Sequence, residues 1–160
     1  MILILRPFRT DDFIGVGEYK GVVHSVGIFH TTLVTLDQRH VVIPNSVLTS
    51  EILTNYSTEP IRRIDVEFSA SYNDDVDKVK AALLNAAEKM PEVLTDPAAE
   101  IILKEHGSSA LIYRLRVWCR RDDYLKVRYA LPEKVIKSFQ KENISVPYTQ
   151  VDVHFDKTVE

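Results

Sequence analysis

The hydrophobic period of this chain changes at Thr58-Glu59-Pro60, and no single layer of secondary structure can carry both periods. Upstream, Phe13–Val16, Gly21–Ile28, Thr31–Thr35 and Val41–Ile43 are short runs rich in β-branched residues. They are separated by Gly15, Gly17, Gly21 and Gly27 or by Asp37-Gln38, as expected for strands joined by tight turns. Ile43-Pro44-Asn45-Ser46 stops the last of these and offers a polar cap to a short helical turn ending near Ser50. Ile52–Tyr56 then reads as a closing strand. The first segment is therefore expected to be a small, strongly bent barrel or sandwich.

Downstream, Ile61–Ala70 alternates, with Ile64, Val66 and Phe68 on one face and Arg63, Asp65 and Glu67 on the other. Asp74 or Asp75 can cap a helix running to about Met90, because Val76, Val79, Leu83, Ala86 or Ala87, and Met90 recur at helical spacing. Ile101–Lys104 and Ala110–Cys119 read as strands around the turn His106-Gly107-Ser108-Ser109. A second helix follows, burying Tyr124, Val127, Leu131, Val135 and Phe139. Pro132 lies inside it and predicts a kink or break near Leu131. Strand, helix, strand, strand, helix is the order of a ferredoxin-like split β-α-β sandwich. After Pro147, Val151, Val153 and Phe155 alternate with Asp152, His154 and Asp156 as one more, detached strand.

Composition excludes some functions. With 20 Lys+Arg against 23 Asp+Glu over 160 residues, the net charge is -3, and the basic footprint needed to neutralise nucleic-acid phosphates is missing. Cys119 is the single cysteine and cannot form an internal disulfide; within Leu115-Arg116-Val117-Trp118-Cys119 it reads as a buried strand thiol rather than a nucleophile. Met1-Ile2-Leu3-Ile4-Leu5 is wholly apolar and runs directly into Arg6-Pro7-Phe8-Arg9. It reads either as the last turn of a transmembrane helix, with Arg6 and Arg9 at the membrane surface, or as a hydrophobic first strand.

A search for chemistry leaves little. Gly15-Val16-Gly17-Glu18-Tyr19-Lys20-Gly21 is followed by a strand instead of a helix and reads as a turn, not a dinucleotide loop. His24, His30, His40, His106 and His154 lack ligand spacing, although His24 and His30 could meet across neighbouring strands. Asp74, Asp75 and Asp77, like Asp122-Asp123, suit the positive end of a helix. Ser108-Ser109 has no strand-to-helix elbow around it and no assignable base. The expectation is no catalytic residue, no metal, no cofactor and no enzyme.

Several stretches carry a resemblance: Arg6-Pro7-Phe8-Arg9, Gly21-Val22-Val23, Ile28-Phe29-His30-Thr31-Thr32, Val42-Ile43-Pro44-Asn45, Asn55-Tyr56-Ser57, Pro60-Ile61-Arg62-Arg63, Val117-Trp118 and Val146-Pro147-Tyr148-Thr149-Gln150-Val151-Asp152-Val153. In this order and spacing the chain resembles the cytoplasmic region of the bacterial small-conductance mechanosensitive channel family. The resemblance implies an α+β fold: a stub of the pore-lining helix over residues 1–7, an Sm-like β-barrel domain over 8–58, a ferredoxin-like α/β sandwich domain over 59–148, and a C-terminal strand over 149–160 that joins its copies in an oligomeric barrel. It further implies a homoheptamer enclosing a cytoplasmic vestibule, attached to a bacterial inner membrane through helices that this sequence does not contain, and passing ions and small solutes on osmotic downshock.

Residue by residue, the resemblance puts Arg6 and Arg9 below the pore helix, Phe29 and Asn45 near the vestibule wall, with Asn45 also facing the membrane domain, and Asp65 near the side portals. Without it, Phe29 reads as core, Asn45 as a helix cap and Asp65 as a solvated strand position. Asp37-Gln38 departs from the family's Asp-Gly hairpin and Ser46 from a common glycine. The alternative reading is a stand-alone Sm-like or OB-like module that binds RNA or a protein partner, which the β pattern alone permits.

Overall fold

The computed structural model describes residues 7–151, which divide into two compact units between Pro60 and Ile61. Met1–Leu5 and Arg6 lie outside the described residues, as does the expected terminal strand apart from Thr149, Gln150 and Val151.

The first unit is one antiparallel sheet of five strands: β1 (Phe13–Val16), β2 (Tyr19–Val26), β3 (His30–Val34), β4 (His40–Pro44) and β5 (Leu53–Asn55). Their order is β4-β3-β2-β1-β5, and a short helix, α1 (Asn45–Ser50), leads from one edge strand to the other. The sheet is open: among the described residues β4 and β5 do not pair, so the barrel anticipated from the sequence does not close. Phe8, Ile14, Val16, Val23, Leu33, Ile43 and Leu48 form its core. A Cβ on Gly21 would stand 2.6 Å from the Val34 carbonyl oxygen, so β2 and β3 approach too closely there for any larger residue. Gly17 turns β1 into β2 with φ +54°, which makes Gly15–Gly21 a hairpin, as its sequence suggests. Gln38 stands at φ 64° in the β3–β4 turn, the left-handed conformation that glycine adopts most readily.

The second unit has three antiparallel strands in the order β6-β8-β7: β6 (Ile61–Ala70), β7 (Glu100–His106) and β8 (Leu111–Arg120). Central β8 alternates strictly, burying Leu111, Tyr113, Leu115, Val117 and Cys119. Against these pack α2 (Val76–Glu88) and α3 (Tyr124–Lys141). Asp75 caps α2 by accepting a 2.8 Å hydrogen bond from the Lys78 amide. Ser138 Oγ donates to the Ala82 carbonyl at 2.8 Å and ties α3 to α2. Asp122 and Asp123 lie in a 3-10 turn, Arg121–Asp123, ahead of α3, and neither side chain caps it.

Of the kink or break expected at Pro132, the break does not occur: α3 runs unbroken through that residue. Its stripe, Val127, Leu131, Val135 and Phe139, is wholly buried on both sides of the proline. Burial of one such side chain is worth about 1.5–3 kcal/mol, so four of them hold the helix together against the loss of one backbone hydrogen bond. Pro132→Ala restores that bond and removes the ring. It is expected to stabilise the second unit by about 1–3 kcal/mol, read as a higher urea midpoint at unchanged slope; a lower midpoint would mean that the proline ring contributes packing that outweighs the missing bond.

Candidate functional site

Two surface regions concentrate the residues singled out above, one in each unit. In the first, β2 and β3 meet in a tight turn at Gly27-Ile28-Phe29. The Gly27 amide donates to the His30 carbonyl at 2.8 Å, and a Cβ on Gly27 would lie 2.9 Å from that oxygen. Ile28 and Phe29 project from the turn, 77% and 82% exposed. The core role that hydropathy suggests for Phe29 is therefore wrong, because the turn geometry leaves its ring no interior to enter.

Asn45 braces this turn. Its Nδ2 donates to the carbonyls of Gly27 at 2.9 Å and Ile28 at 3.0 Å, and its Oδ1 accepts from Thr31 Oγ1 at 2.8 Å. Its backbone amide donates to the Phe29 carbonyl at 2.9 Å. Thr31 is fully buried, so the amide satisfies a hydroxyl that has left water. Asn45 is consequently not the cap of α1. Pro44 occupies that position and no side chain caps the helix; the Asn45 amide group is committed to the β2–β3 turn instead.

Arg9 is exposed, and its backbone amide donates to Asp12 Oδ2 at 2.8 Å. Asp12 also accepts from Asn55 Nδ2 at 2.9 Å, so the entry segment is pinned to β5 through the Asp12 carboxylate.

In the second unit the sheet face opposite the helices carries a charged ladder. Asp65 accepts from Arg63 Nε at 2.7 Å and Nη2 at 3.3 Å, and stands 3.5 Å from Arg116 Nε. Arg116 Nη1 reaches Glu100 at 3.0 Å, completing a rung across β6, β8 and β7. The next rung joins Glu67 to Arg114 at 2.6 Å and to Lys104 at 3.0 Å. Hydrogen bonds from Arg114 and then Lys104 hold the Glu67 carboxyl below the usual glutamate range. Asp65 is thus a paired carboxylate, not a free one, and this face balances Arg63, Lys104, Arg114 and Arg116 against Asp65, Glu67, Glu100 and Glu105. Pairs this exposed contribute little to stability; their effect is to set the local field. The period-two spacing of Arg114 and Arg116 puts both on one face of β8, but which carboxylates they meet is fixed by the strand register.

Cys119 is fully buried, and burial pushes its thiol up from the usual cysteine value, which suits an inert core residue. The histidine pair that does form is His24 with His40, rather than His24 with His30. Among the described residues no group of three or more His, Cys, Asp or Glu is placed to hold a metal ion, and no helix is long and apolar enough to cross a membrane.

The mixed α/β build of the two units matches that of a mechanosensitive ion channel family. The family model for the mechanosensitive ion channel beta-domain matches residues 1–58, and that for the C-terminal region of the mechanosensitive ion channel MscS matches residues 64–146. The chain belongs to the MscS family. It is 38% identical over 157 residues to an MscS family protein of Buchnera aphidicola subsp. Schizaphis graminum, covering 98% of this chain and 56% of that relative. It is 34% identical over 159 residues to the small-conductance mechanosensitive channel of Edwardsiella ictaluri, covering 99% of this chain and 56% of the channel. The crystal structure of Helicobacter pylori MscS in its closed state superposes with a TM-score of 0.92 at 25% identity, over 98% of this chain and 62% of that one. The chain thus spans little more than half the length of these three relatives.

Proposed function

We propose that this chain is the cytoplasmic vestibule region of a tension-gated channel of the inner membrane, and that it assembles as a homoheptamer whose parent protein releases ions and small solutes on osmotic downshock. In this reading the first unit is an Sm-like domain whose open sheet edges are met by neighbouring copies. The second is a ferredoxin-like sandwich, a description that the strand order β6-β8-β7 with both helices on one face supports. The observation that carries the reading is the braced apolar turn. Asn45 holds Ile28 and Phe29 out of their own core, and large apolar side chains fixed in an exposed position mark a surface that another body covers. Ile52, just before β5 in the same unit, is also largely exposed.

Within the assembly, Phe29 and Asn45 would stand at the vestibule wall and toward the membrane domain, Arg9 with Arg6 at the membrane surface, and Asp65 near the portals. Opening is driven by membrane tension on the transmembrane helices of the parent; this region shifts the balance of states through contacts that differ between them. Because the Asp65 face is charge-balanced, a portal built from it discriminates weakly between anions and cations.

Light scattering after gel filtration, over a range of protein concentrations, tests the assembly. Seven copies of 18.3 kDa give about 128 kDa, the expected mass. A monomer at every concentration would overturn self-closure of the ring by this region.

A further inference from the structure

One pair of titratable side chains in the first unit belongs to neither surface region described above. Val23 pairs with Leu33 and Ser25 with Thr32, so β2 carries one residue more than β3 in that interval, and the extra residue is His24. A bulge of this kind twists its strand and re-aims the side chain. On the other flank of β3, His40 opens β4 opposite Val34. The two imidazoles come from strands that are not neighbours, yet their ring centroids stand 5.6 Å apart at an interplanar angle of 67°. Both residues are exposed.

We propose that His24 and His40 form a chelating site for a divalent transition-metal cation of the class that imidazole prefers, Zn2+, Ni2+ or Cu2+. A Zn–N bond of about 2.0–2.1 Å puts the metal roughly 3.2 Å from the centre of each ligating ring. Two such arms whose far ends are 5.6 Å apart open at about 120°, close to the angle between two ligands of a four-coordinate ion. The ring separation is therefore the one that a shared ion needs, and rotation of two exposed side chains turns a nitrogen of each toward it. No group of three or more ligand-type residues gathers among the described residues, so water fills the remaining positions and the ion exchanges readily. A bound cation ties β2 to β4 over the top of β3 and stabilises the folded unit by mass action. A metal ion binds only neutral imidazole, so binding competes with protons for the ring nitrogens. The inference rests on ring geometry alone and is independent of the channel reading.

Calorimetric titration of the full chain with ZnCl2 at about pH 7.5 tests the site. His24→Ala and His40→Ala are each expected to weaken binding about tenfold or more, whereas His30→Ala leaves it unchanged. Circular dichroism establishes that each variant is folded. In the unsubstituted protein, Ni2+ should broaden the amide resonances of β2 and β4 around His24 and His40, reading the same site without any substitution. Zinc binding that survives both substitutions, broadening centred on His30 or His106, or no binding at all would overturn the proposal.

Discussion

Replacing Asn45 by alanine is expected to destabilise the first unit by about 2–4 kcal/mol. The substitution removes three side-chain hydrogen bonds at once, and their partners do not fare equally. The Ile28 carbonyl lies at an exposed contact and water can replace its donor. The Thr31 hydroxyl belongs to a fully buried residue, and leaving it unpaired costs about 1–3 kcal/mol by itself. Asn45→Asp separates the contributions: it keeps an acceptor for Thr31 but sets a carboxylate oxygen against the carbonyls of Gly27 and Ile28, so it should also destabilise. Urea unfolding measures the loss, and amide exchange locates it in β2 and β3. With the turn unbraced, Ile28 and Phe29 no longer present a fixed surface, so the Asn45→Ala protein should also shift toward lower mass in light scattering. An unchanged midpoint would show that the amide contributes nothing to the fold, and the bracing role would be lost with it.

Asn45 also marks where the sequence ceases to be legible. Pro44-Asn45 ahead of a short helix has the pattern of a cap, and only the backbone path of Gly27 and Ile28 reveals that the amide is used elsewhere. Phe29 misleads for the same reason, since hydropathy does not register a residue at the apex of a turn whose ring cannot reach the core. By contrast, Ile61–Ala70 is readable to the residue, because period-two alternation and the central strand it pairs with demand the same faces. The cap of α2 is legible to within one residue, Asp74 or Asp75, its signal being local, and the structure settles it on Asp75. Contacts fixed by register escape sequence reading: Asp65 opposite Arg116 depends on which residue of β6 meets which of β8, and His24 beside His40 depends on a bulge. At Pro132 the helix does not break. The proline's local penalty is real, but the buried stripe on either side outweighs it.

That stripe sets the largest stability effect expected in the molecule. Leu131 lies in the middle of it, fully buried, and belongs to the core shared by α2, α3 and the three-stranded sheet. Leu131→Ala removes three carbons from a close-packed site and is expected to cost about 2–5 kcal/mol, depending on how far the neighbours collapse into the space. Collapse is restricted here: Pro132 stiffens the backbone next door, and Ser138, about two turns further on, is tied to Ala82 of α2. The cost should therefore fall in the upper half of that range, while Leu131→Met, which conserves volume, should cost less than about 1.5 kcal/mol. Because the two units have separate cores, hydrogen exchange in Leu131→Ala should accelerate at β6, β7 and β8 and leave β2 and β3 protected. Equal acceleration in both sheets would show that the chain unfolds as one cooperative body, and the independence of the two cores would then be wrong.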